Sequence, residues 1–266
     1  MSSENRFEFT KENIDLYLKE VAKEYRKLAG KKMPAELILI GGASVLINYG
    51  FRNATTDIDA LILAASAMKD AVSHVRDRFG LPAGWLNADF MKTASYTEKI
   101  REFSVYYRTY ANVVTIRTVK DEYLIAMKLR AGRQYKSDLS DVLGILAEHE
   151  KTGNPITMEQ IRKAVKDLYG GWEVLTEDSM AFIENVMRKG RFGELYEKIV
   201  QGEKETRKLM IRFEKDHPGA MKRSNADEIT GNLQKRSDKA SILAELRQRK
   251  QEEDGRKKAD KSVLCR

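Results

Sequence analysis

The sequence predicts an α/β (α+β) fold with a sheet-bearing first half and a helical second half, and three stretches carry that expectation. Residues 37–63, LILIGGASVLINYGFRNATTDIDALIL, read as strand, glycine turn, short helix and strand. Residues 103–107 and 113–119, rich in aromatic and β-branched side chains, read as two more strands joined through residues 109–112. Beyond Pro155 the apolar spacing turns helical and strand signals cease.

In chain order, residues 10–28 repeat apolar side chains at Ile14, Leu16, Tyr17, Val21, Tyr25 and Leu28, with Thr10 placed to cap the helix. Leu37 to Ile40 form an uninterrupted apolar run ended by Gly41-Gly42, the pattern of a strand covered on both faces that meets a tight turn. Residues 43–49 follow as a short helix. Residues 57–62 resume a strand whose side chains alternate, so that Asp57 and Asp59 share one face. Residues 67–79 are helical up to Gly80, and Trp85 and Leu86 read as core. Helices are expected over 122–131 and 138–150, with Gly132 ending the first and Ser137 capping the second. Residues 157–169, 178–189 and 192–216 complete the helical half, and Thr157 with Gln160 fits a capping box. The expected organisation is a core domain over 1–150, a helical accessory domain over 151–220 and a charged tail over 221–266.

The chain of 266 residues is 42% hydrophobic, enough for a substantial core, and carries a net charge of +8. Residues 221–266 hold 13 Lys and Arg against 8 Asp and Glu, so basicity is mainly a property of the tail. That tail is polar and poor in aromatics, apart from an apolar patch at Ile242, Leu243 and Leu246 suited to a partner. One cysteine, Cys265, excludes an intramolecular disulfide, and His74, His149 and His217 lack ligand-type spacing. With no membrane-length apolar run and no signal-peptide pattern at the N-terminus, a cytoplasmic protein without a membrane role is expected.

Chemistry concentrates in residues 41–59. Two carboxylates two residues apart on a strand have Cβ atoms roughly 6 to 7 Å apart and repel unless a cation lies between them. Mg²⁺, or Mn²⁺ in its place, takes oxygen ligands and is held by one or two carboxylates together with substrate phosphates. Gly41 and Gly42 lack Cβ atoms and let backbone amides approach an anion at the start of a helix, where Ser44 can add a hydroxyl. Either motif alone is commonly a plain turn or a strand edge; together, in this order, they point to a nucleotide-phosphate site.

Gly41-Gly42 followed by Asp57-Ile58-Asp59 resembles the signature of the polymerase-β nucleotidyltransferase superfamily. The segment YLIAMKLRAGRQYKSDLSDVLGIL, residues 123–146, is similar to that of the minimal bacterial members that include AbiEii-type toxins of type IV toxin-antitoxin systems. The resemblance covers roughly residues 36–146. It implies a mixed sheet, a metal held by Asp57 and Asp59, a lysine contact from Lys128 to an NTP, and Asp138 completing the site as base or as a further carboxylate. Arg133 adds positive charge beside the nucleotide. The implied reaction moves a nucleoside monophosphate from an NTP to an RNA, protein or small-molecule acceptor, and an antitoxin is the implied protein partner. Ala43 stands where many members carry a serine, and no later strand offers a clear third carboxylate, with Glu102 only flanking one. The competing reading is a catalytically silent nucleotidyltransferase fold that binds RNA or protein. Asn87, in a Trp-Leu-Asn segment, is a further candidate beside the cleft.

Overall fold

Alternation along the buried strands decides how the layers form. The computed structural model describes residues 7–132 and 138–222, together with Asn225 and residues 228–233. In strand β1 (Ala35–Leu39), Leu37 and Leu39 face one apolar cluster, while Ile38 and the following Ile40 face another. The first cluster is completed by helix α1 (Lys11–Ala29) and helix α3 (Ala67–Phe79). On the opposite face lie α4 (Asp121–Ala131), α5 (Asp138–Lys151), α6 (Met158–Tyr169) and α7 (Glu177–Lys189). Helix α2 (Gly41–Asn48) is embedded between them, with Val45 in one cluster and Ala43, Leu46 and Ile47 in the other.

The sheet is mixed and five-stranded, in the order β3-β2-β1-β5-β4. Strand β2 (Ile58–Leu63) runs antiparallel to β1, and β5 (Val114–Val119) runs parallel to it on the other side. Strand β4 (Ser104–Tyr110) pairs antiparallel with β5 across a turn in which Ala111 and Asn112 adopt positive φ. The short β3 (Leu86–Asn87) pairs parallel with β2 and sets Asn87 in register with Asp59. Trp85, 1% exposed, stacks on Phe9 at 5.8 Å and is a core residue. Phe9 and Thr55 exchange backbone hydrogen bonds of 2.7 and 2.9 Å, which tie the N-terminal segment to the loop that precedes β2.

Expected element boundaries shift by one to three residues: Asp57 lies just before β2, Asp121 opens α4, and β4 runs to Tyr110, three residues past its expected end. The compact units divide the chain elsewhere than at residue 150. One unit takes residues 1–132 and 137–199, because α6, α7 and Phe192 at the start of α8 (Phe192–Asp216) share the apolar cluster of α4 and α5. The other takes residues 133–136 and 200–266; within it the Phe213 and His217 rings lie 4.9 Å apart. Arg133, Ser137, the Ile242, Leu243 and Leu246 patch and Cys265 lie outside the described residues. Among the described residues no helix is long and apolar enough to cross a membrane.

Gly144 on α5 illustrates how tightly that cluster is closed. A Cβ added there would fall 2.4 Å from the Phe51 ring. In an open helix Gly→Ala stabilises by about 1 kcal/mol. Here Gly144→Ala is expected instead to destabilise by about 1 to 3 kcal/mol through overpacking. Urea unfolding checks the sign, and equal or higher stability would mean that the ring gives way freely.

Glu24 links α1 to α3. It accepts from Arg78 Nη2 at 2.9 Å and from Lys27 Nζ at 3.1 Å, with His74 Nδ1 at 3.2 Å. Arg78 first, and Lys27 after it, hold its carboxyl well below the usual carboxylate value of 4.5, at about 2. Because the folded value is the lower one, this stabilisation is present above pH 4.5 and is lost as pH falls toward 2. Glu24→Gln should flatten that limb of the pH–stability curve, as followed by denaturant midpoints between pH 2 and 5.

Candidate functional site

Gly41 opens α2 with φ of +59°, a conformation that favours glycine, directly after Ile40 donates its backbone N–H to the Asp59 carbonyl at 2.9 Å. The turn and the strand aspartate are therefore neighbours: a Cβ at Gly41 would lie 3.6 Å from Asp59 Oδ2. The N-cap position of α2 is Ile40, whose side chain has no acceptor for the first amides of the helix. Asp57 and Asp59 are both half-buried. By strand alternation they belong to the sheet face that carries Leu61 and the α4–α7 cluster.

Lys128 lies on that same face, deep in the wall. Its ammonium donates to Asp138 Oδ1 at 2.8 Å and to Asp141 Oδ2 at 2.6 Å. The side chains of Lys128, Asp138 and Asp141 are 7%, 1% and 3% exposed. Burial alone lowers the lysine pKa, but the charges of Asp138 and Asp141 outweigh it and raise the value above the ordinary lysine range. The ammonium therefore stays charged, and it is held by carboxylates rather than snorkelling to the surface.

Asp141 also takes a guanidinium. Arg52 Nη1 donates to both of its oxygens, at 2.7 and 2.6 Å, and Arg52 Nε donates to the Ala54 carbonyl at 3.2 Å. The same guanidinium lies against the glycine turn, since a Cβ at Gly42 would fall 2.7 Å from Arg52 Nη2 and 2.8 Å from Thr55 Oγ1. Thr55 Oγ1 donates to the Asp57 carbonyl at 3.1 Å. One continuous run thus joins Asp59, the Gly41-Gly42 turn, Arg52, Asp141, Lys128 and Asp138. Arg52 and Asp141 are the members that sequence reasoning passed over. The available signal was Arg-x-x-Thr just ahead of Asp57, together with a second aspartate one turn beyond Asp138.

The remaining candidates are placed differently. Ser44 is fully buried, and its hydroxyl has no hydrogen-bond partner among the described residues, so in this conformation it is not presented to a ligand at the surface. Asn87 donates to the Gly84 carbonyl at 3.0 Å and accepts from Asp89 N at 2.8 Å, which makes it a staple of its own turn. Glu102 is exposed beyond a 3₁₀ turn. His149 lies between Asp121 Oδ2 at 2.8 Å and the Asn154 carbonyl at 3.0 Å, a bridge between elements. Among the described residues no cluster of three or more His, Cys, Asp or Glu is placed to hold a metal ion. The pair Asp57 and Asp59 nevertheless offers hard oxygen donors of the kind Mg²⁺ uses when phosphates complete its shell.

A mixed sheet that sets a glycine turn beside strand aspartates, with an enclosed lysine behind them, is a nucleotidyltransferase-like arrangement. The chain belongs to the family described as "Nucleotidyltransferase of unknown function (DUF6036)", which it matches over residues 17–168, more than half of its length. No curated protein and no solved structure matches it.

The enclosed lysine makes a stability prediction. Lys128→Met fits the apolar neighbours by shape but leaves two buried carboxylates without their shared cation. Removing one partner of a buried pair costs about 3 to 5 kcal/mol, and a loss of that order is expected in denaturant unfolding. A loss under about 1 kcal/mol, the worth of an exposed pair, would show that the ammonium is not satisfying these carboxylates.

Proposed function

We propose that this protein is a metal-dependent nucleotidyltransferase of the polymerase-β type, moving a nucleoside monophosphate from an NTP to an acceptor hydroxyl. The observation that carries the reading is the adjacency of the glycine-led start of α2 to Asp59, which offers an anion cradle and a cation ligand within one turn. In this reaction an acceptor hydroxyl oxygen attacks the α-phosphorus and gives its proton to solvent, the bond from that phosphorus to the bridging oxygen breaks, and pyrophosphate leaves with the bond electrons. Asp57 and Asp59 would hold Mg²⁺ or Mn²⁺, which when bound neutralises phosphate charge and aligns the attacking oxygen. The amides of Gly41 and Gly42 receive phosphate oxygens. Lys128 contributes a fixed positive charge behind the cradle. Asp138, spent on that ammonium, holds it in place.

The likeness of residues 123–146 to AbiEii-type proteins supports a toxin role, with RNA or protein as acceptor and an antitoxin as partner. A second reading, a silent fold that binds RNA or protein, is favoured by one observation: β3 sets the amide Asn87, rather than a carboxylate, beside Asp59.

Incubation of the full chain with each α-³²P-labelled NTP, Mg²⁺ and total cellular RNA or protein separates the two readings. Label transfer is expected to one acceptor class. Asp57→Asn and Asp59→Asn should each abolish it, with denaturant unfolding showing that each variant is folded. Undiminished transfer by the Asp59→Asn protein would sink the metal site. Absence of transfer with every nucleotide and acceptor would leave the silent fold.

A further inference from the structure

We propose that Arg52 is the side chain that receives the polyphosphate of the nucleotide at the Gly41-Gly42 turn, and that Asp141 is the residue that positions it. This inference rests on the nucleotidyltransferase reading and names a phosphate contact that the motif residues do not supply.

The argument begins with donor accounting. The Lys128 ammonium is enclosed and already donates to Asp138 and Asp141. A phosphate could reach it only by displacing one of those carboxylates. Arg52 is differently disposed, with its side chain 20% exposed, three times the figure for Lys128. A guanidinium has five N–H donors. Nε is used on the Ala54 carbonyl and Nη1 on the two oxygens of Asp141. Nη2 has no acceptor among the described residues, and it is the atom nearest the position a Cβ on Gly42 would take.

The identity of residue 42 follows from this. An alanine at that position would put its methyl carbon 2.7 Å from Nη2 and 3.0 Å from Cζ, so the glycine is what lets the guanidinium lie on the turn. Gly41 has a different cause, its positive φ. The two glycines thus separate into one for the backbone and one for the arginine. What the arrangement offers is a planar cation beside the backbone donors that open α2. Nη2 keeps its N–H donors for phosphate oxygens, and arginine keeps its charge at every working pH.

Asp141 fixes the plane of that guanidinium through the two bonds to Nη1 and is itself held by Lys128. The carboxylate at 141 therefore aims the free edge of Arg52 without touching the nucleotide. That makes Asp141 a positioning residue and Arg52 a contact residue.

The test is binding of ATP, GTP, CTP and UTP, each with Mg²⁺, to the full chain by calorimetry. The corresponding nucleosides are titrated alongside, and the stability of every variant is measured in parallel. Arg52→Gln should weaken triphosphate affinity by about 10- to 100-fold, the worth of a hydrogen bond to a charged group, with nucleoside affinity unchanged. Arg52→Lys should recover part of that loss by restoring the charge without the Nη2 donor at the turn. Asp141→Asn should weaken triphosphate binding in the wild-type background but add little in the Arg52→Gln background, a non-additivity that loss of stability alone does not produce. Should Arg52→Gln fail to fold, Arg52→Lys carries the test, and wild-type affinity in that variant overturns the proposal. Wild-type affinity in a folded Arg52→Gln protein overturns it as well. If Asp59→Asn removes the Mg²⁺ dependence of binding while both Arg52 variants bind normally, only the arginine contact fails. If the wild-type chain binds no triphosphate, the nucleotide reading and this inference fall together.

Discussion

A lysine ammonium shut between two aspartates at one end of the helical layer is the constraint on which the rest of this arrangement depends. Lys128 sits near the end of α4, and Asp138 and Asp141 occupy the first turn of α5. Their contacts therefore fix where one helix stops relative to where the next starts. Neither carboxylate could be so deeply enclosed without a cation, and the lysine could not stay charged there without them. Asp141 then carries the constraint across to Arg52, and Arg52 to the glycine turn. Electrostatic satisfaction in the wall and geometry at the mouth of the site are in this way a single condition.

The sheet supplies the other half of the geometry. Because β1 sends alternate residues into two different apolar clusters, its end is clamped from both faces, and the turn at Gly41 emerges from a rigid base. The antiparallel pairing of β2 with β1 returns Asp59 to the same end of the sheet that β1 has just reached. A parallel neighbour would enter from the far end. Strand direction, rather than any feature of the aspartates themselves, is what brings the acids to the glycines.

Much of this could be read from the sequence because local patterns encode it. The apolar run before Gly41, the alternation through Asp59 and the capping pair Thr157 and Gln160 all use neighbours within a few residues. Arg52 is flagged locally only by the Arg-x-x-Thr ahead of Asp57, and its decisive partner is 89 positions away, too far for a local pattern to pair them. From its apolar sequence neighbours alone Lys128 fits either a snorkelling residue or one with a buried partner, a choice that depends on how deeply the packed helices enclose α4. Asp141, in the first turn of α5, reads from the sequence as a plain helix-dipole charge, and only its contacts with Lys128 and Arg52 set it apart. Ser44 shows the reverse error: a hydroxyl in the right place in the sequence is turned inward, because the short helix is buried on all its faces but one.

The backbone bridge between Phe9 and Thr55 extends the site beyond its motif. Arg52, Thr55 and Asp57 share one loop, and among the described residues the strand-like anchor in the middle of that loop is Phe9. The span matched to the family begins at residue 17, and Phe9 lies ahead of it. The loop that carries Arg52 and Asp57 is thus steadied by a residue outside the matched span, and removing the leading segment would loosen that loop without altering any residue within it.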